Sequence, residues 1–74
     1  MKNKSFTITG EYIELIKLLK AAHICNSGGE AKQLVEEGLV FYNGVQEFRK
    51  RAKIRKGDIV KIKTLDIEIL IDSE

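Results

Sequence analysis

Proline and tryptophan are absent from this 74-residue chain, and cysteine and histidine occur once each. A lone Cys25 excludes an intrachain disulfide, and His23 with Cys25 falls short of the four ligands of a structural zinc site. A domain this small must then be held by its apolar core, drawn from a hydrophobic fraction of 43% that is near the ordinary globular value. No apolar run approaches the roughly 20 residues that cross a bilayer. No low-complexity tract or linker interrupts the chain, so residues 1–74 read as a single domain. A lone thiol and no secretory signal fit a cytoplasmic setting. The constellations of catalysis are missing too: no Ser/His/Asp set, no paired acids, no base beside Cys25. The expectation is a non-catalytic protein without cofactor, metal or small-molecule substrate.

What is abundant is positive charge, and it is concentrated. Between Phe48 and Lys63 stand Arg49, Lys50, Arg51, Lys53, Arg55, Lys56, Lys61 and Lys63 against the single acid Asp58, a net +7 in a chain of only +2. Residues 1–47 carry −1 and residues 64–74 carry −4. Such a cationic stretch suits a polyanion, and arginine at three positions suits bidentate phosphate contact better than lysine would.

The apolar spacing supplies the elements. Ser5–Thr9 alternates, with Phe6 and Ile8 on one side of a short strand. Thr9 then reads as the cap of a first helix starting near Gly10 or Glu11 and running to about Ala22, with Tyr12, Leu15, Ile16, Leu19 and Ala22 on its inner face. Ser27 followed by Glu30 is a capping box, so a second helix runs from about Gly28 to Glu37 and stops at Gly38. Leu39–Tyr42, Asn43-Gly44 and Val45–Glu47 make a hairpin, because both central residues of the tight turn need positive φ. Phe48–Arg55 reads as a loop with at most a helical turn. Lys56-Gly57-Asp58 turns into a strand, Ile59–Lys63, and Leu65, Ile67, Ile69 and Ile71 line one face of another. That strand pairs either with Ile59–Lys63 or with the first strand. The sum is an α+β domain, two helices packed on a small, mostly antiparallel sheet.

The ordered set of a Leu-Leu helix, SGGEAK, EGLVFYNG, a basic loop and KGD before a strand resembles the RNA-binding domain of ribosomal protein S-four, over about residues 12–63. The resemblance implies a small stand-alone module of that family, and RNA, rRNA or the ribosome as its partner. Many members place an arginine directly after the serine that opens the second helix. Here Gly28 and Gly29 follow Ser27, so only backbone amides at a helix N-terminus are offered to a phosphate there.

The candidate RNA-binding residues are therefore Arg49, Lys50, Arg51, Lys53 and Arg55 in the loop, Gly28, Gly29 and Lys32 on the second helix, and Lys20 on the first. Phe41 or Tyr42, on opposite faces of their strand, could expose a ring for stacking. A protein-interaction module docking the basic loop on an acidic partner is the alternative reading.

Overall fold

The computed structural model describes residues 2–73. In chain order the elements are β1 (Lys2–Ile8), β2 (Ile13–Glu14), α1 (Leu15–Ala21), α2 (Gly28–Glu36), β3 (Val40–Tyr42), β4 (Val45–Gln46), β5 (Lys53–Ile54), β6 (Ile59–Ile62), a 3-10 turn (Lys63–Leu65) and β7 (Ile67–Ser73). Five strands form one sheet in the order β1-β7-β6-β3-β4, and β2 pairs with β5 in a separate ribbon. Every pair is antiparallel except β1 with β7, which run parallel. Both pairings left open for the last strand therefore occur, one along each of its edges.

The core lies between the helix pair and one face of this sheet. Leu15, Leu18, Leu19, Ala31 and Val35 from the helices meet Val40, Val60, Ile62, Ile69 and Ile71 from the strands, all essentially buried. On β6 the period of two is visible directly: Val60 and Ile62 point inward, while Lys61, in register with Phe41 and Glu68, points out.

Helix α1 begins later than its apolar spacing predicts. Gly10 has φ +87, Ile13 and Glu14 pair with Ile54 and Lys53, and the cap is Glu14 rather than Thr9. Tyr12 consequently lies ahead of the helix and is 42% exposed instead of buried in its inner face. The physical reason is a competing partner for the backbone. The amides of Leu15 and Ile16 donate to the carbonyls of Ala52 and Lys50 at 2.9 and 3.1 Å, which satisfies the front of α1 without a side-chain cap.

Both helices end the same way. Ile24 and His23 donate to Leu19 and Lys20 after α1, and Leu39 and Gly38 donate to Leu34 and Val35 after α2. The residue at the turn is left-handed in each case, His23 at φ 60 and Gly38 at φ +75, the arrangement that satisfies the last helical carbonyls. At the front of α2, Ser27 Oγ accepts from the Glu30 amide at 3.2 Å, and Glu30 accepts in turn from Asn26, one residue earlier than the usual box. Asn43 and Gly44 both have positive φ, as their hairpin requires.

Gly38 is the glycine that tolerates least. A Cβ there would collide with the Gln46 amide, which donates to the Gly38 carbonyl at 2.8 Å, and would stand 3.1 Å from the Phe48 ring. Gly38→Ala is expected to cost at least ~1 kcal/mol, from the left-handed backbone together with the clash, measured as a lowered urea midpoint. Gly28→Ala, where an added Cβ meets nothing within 4 Å, should not be destabilising.

Candidate nucleic-acid interface

The cationic stretch does not remain a loose loop. The carbonyls of Lys50 and Ala52 are fastened to the front of α1, Ala52 and Ile54 are buried, and Lys53–Ile54 form β5 against β2. The side chains between these anchors face solvent around an open groove of about 790 Å3, whose wall includes Glu36, Tyr42, Phe48, Arg49, Lys50, Arg51 and Lys53. Phe48 is 57% exposed in a groove it shares with four cations, of which Arg49 is, among the described residues, the one paired with an acid.

The cations are not equivalent. Arg49 is held by Glu47 through two hydrogen bonds, 3.1 Å from Nε and 3.0 Å from a terminal nitrogen, and its amide donates to the same carboxylate. The Arg49 side chain bonded to it, with burial opposing, keeps the Glu47 carboxyl below its ordinary range, so the pair stays charged and Arg49 carries little net field. Lys50 and Arg51 make no such bond to a described residue, and both are exposed. Lys53 stands 5.1 Å from the centroid of the Tyr12 ring and Arg55 5.8 Å from it, so this exposed tyrosine holds two cations in place at one end of the groove. Lys61 and Lys63 belong elsewhere: Lys63 lies over Phe41, 5.9 Å from its centroid, on the outer face of the sheet.

The basic segment is bonded through its main chain to the front of α1, and α2 contributes Glu36, in its last turn, to the groove wall. Gly28 and Gly29 stand at the other end of that helix, about 12 Å from Glu36 at ~1.5 Å per residue. Lys32 lies one turn before Glu36, on the same flank, and Gly28 one turn before Lys32. Lys20, exposed near the end of α1, is one turn beyond Ile16, whose amide binds the Lys50 carbonyl. The loop thus assembles Lys50, Arg51 and Lys53, while Lys32, Gly28, Gly29 and Lys20 lie along the flanks that lead away from it.

Behind the groove Asp58 ties its parts together. It accepts from the Tyr42 hydroxyl at 2.6 Å, the Arg55 amide at 2.8 Å and the Asn43 side chain at 3.1 Å. Burial works against the charge of Asp58, but these bonds outweigh it and hold the carboxyl below its ordinary value near 3.8. The same bond pushes the Tyr42 phenol up. Asn43 also accepts from the Ile59 amide at 2.7 Å, so the hairpin turn is clamped to β6.

Sequence reasoning misses Phe48 and Tyr12. Phe48 opens a segment without periodicity, and Tyr12 falls into a helical spacing that the backbone does not follow. A signal for the first was present: an aromatic directly preceding Arg-Lys-Arg has no apolar neighbour in sequence to bury it.

The chain thus lays a helix pair on a mostly antiparallel sheet and sets an exposed aromatic ring in a cationic groove. The family model described as S4 domain matches residues 6–70, and the chain belongs to that family. The match extends beyond residues 12–63 to take in the end of β1 and the first half of β7. Among solved structures, E. coli YbcJ, whose structure is described as revealing an αL motif involved in RNA-binding, is 33% identical with TM-score 0.64, covering 95% of this chain and 87% of that one. The solution structure of a tyrosyl-tRNA synthetase C-terminal domain has TM-score 0.69 at 21% identity, covering 96% of this chain and 78% of that one. No curated protein matches the sequence.

Because Asp58 has a depressed folded-state value, its stabilisation is complete above its unfolded value and is lost as pH falls through the folded one. Thermal unfolding followed from pH 7 to 2 should show stability declining from about pH 4 downward. Asp58→Asn should cost about 1–3 kcal/mol at neutral pH and flatten that acid limb.

Proposed function

We propose that this protein is a non-catalytic RNA-binding module that recognises structured RNA, with rRNA on the ribosome as its target and the cytoplasm as its place of action. The observation that carries this reading is the groove itself, where Lys50, Arg51 and Lys53 surround an exposed Phe48 on a backbone fixed to α1. Membership of the S4 domain family and the RNA-binding motif of YbcJ support it.

The mechanism is phosphate neutralisation on a rigid loop. Lys50 and Arg51 supply unpaired charge, and Lys53 and Arg55 are pre-positioned by Tyr12. A backbone leaving the groove along α2 meets Lys32 one turn on, then the open first turn at Gly28 and Gly29. Along α1 it meets Lys20. Glu36, in the groove wall, interrupts this positive surface. Most of these contacts fix register and orientation rather than sequence.

Four to six neutralised phosphates give a log–log salt slope of about −3 to −5. Lys50→Glu with Arg51→Glu should weaken binding to ribosomal RNA at least tenfold and lower that slope by about 2. Arg49→Ala should do less, because Glu47 already offsets its charge. The measurement is fluorescence anisotropy from low to physiological salt. Unchanged affinity in the double variant, or cellular complexes that survive nuclease, would overturn the assignment in favour of an acidic protein partner.

A further inference from the structure

Phosphate binding alone leaves two features of the groove unused. Phe48 exposes more than half of an apolar ring at the point where hydration is costly and cations are dense. Glu36 places a carboxylate in the same groove, where it repels phosphate and weakens any purely electrostatic site. Both make sense toward a nucleobase. A ring face accepts a stacked base of any kind, and a carboxylate accepts hydrogen bonds from a base edge that carries N–H donors. The bases of a continuous A-form duplex are stacked inside it, so the ring can be reached only by one that has left the stack.

Resting on the RNA-binding reading above, we infer that the groove between Phe48 and Glu36 receives a single unpaired base, stacked on Phe48 and read through its donor edge by Glu36. The cognate RNA is then a helix interrupted by a bulge or loop, with guanine preferred because its Watson–Crick edge presents two N–H donors side by side. Lys50, Arg51 and Lys53 hold the phosphates that flank the extruded nucleotide. Tyr42 closes the back of the groove with its hydroxyl already committed to Asp58, so it offers a wall and does not compete for the base edge.

The probes are three RNA hairpins of equal length and charge: one with a bulged guanosine, one with a bulged uridine, one fully paired. Wild type should bind the bulged guanosine about tenfold tighter than the paired hairpin, the size of one base–aromatic stack, and tighter than the bulged uridine. Phe48→Ala should bring the ratio of bulged to paired affinity to about one without changing the salt slope, and Phe48→Tyr should restore the ratio. Glu36→Gln should erase the guanosine-over-uridine preference alone. Equal wild-type binding to all three hairpins would overturn the base site with the RNA reading intact. Binding to none of them would defeat both.

Discussion

Two backbone hydrogen bonds, from the amides of Leu15 and Ile16 to the carbonyls of Ala52 and Lys50, organise this molecule. A helix start leaves amides without partners, and a cationic loop would by default be mobile and self-repelling. Here each answers the other. The loop supplies the carbonyls that α1 lacks, and α1 supplies the rigid seat that holds like charges close together. The β2–β5 ribbon and the buried side chains of Ala52 and Ile54 reinforce the same junction. The repulsion among Lys50, Arg51 and Lys53 is thereby carried largely by packing and main-chain bonds, with the Glu36 carboxylate in the same groove.

Much of the architecture was legible in the sequence, and the exceptions share a cause. The capping box at Ser27, the stop at Gly38, the Asn-Gly hairpin and the alternation of β6 and β7 are local signals, each written within four to seven residues. The start of α1 is not local. Tyr12 and Ile13 continue a helical apolar spacing, but strand pairing with Ile54, some forty residues away, takes the backbone instead. The same long-range contact turned a segment without periodicity into a short strand and set an aromatic residue beside Lys53 and Arg55. His23 illustrates a smaller case. It occupies a left-handed turn without being glycine or asparagine, so its identity does not announce that turn, although the apolar spacing does end the helix at about Ala22, its C-cap.

The candidate site was legible as a charge density but not as a surface. Eight cations in sixteen residues read as one patch, yet Lys61 points outward from β6 and Lys63 lies over Phe41, while Lys50, Arg51 and Lys53 line the groove. Glu47, just outside the counted segment, removes Arg49 from the unpaired set. The acids of β7 lie beyond β6 from β3 in the strand order, and Glu68 is in register with Lys61 rather than with the loop. What the groove presents is therefore fewer charges than the sequence suggested, set around an exposed ring.

The parallel pairing of β1 with β7 joins segments separated by nearly the whole described chain, from Lys2 opposite Ile67 to Ile8 opposite Ser73. On a ribosome, β1 emerges before the other elements and has no strand to join until β7 has been made, since among the described residues β7 is its one neighbour in the sheet. The helix pair and the β3–β4 hairpin can form meanwhile from contacts close in sequence, whereas closing the sheet requires the longest loop in the molecule. Nascent β1, with Phe6 and Ile8 still unburied, is thus the segment most dependent on lysines at positions 2 and 4 to stay out of mispairing during synthesis.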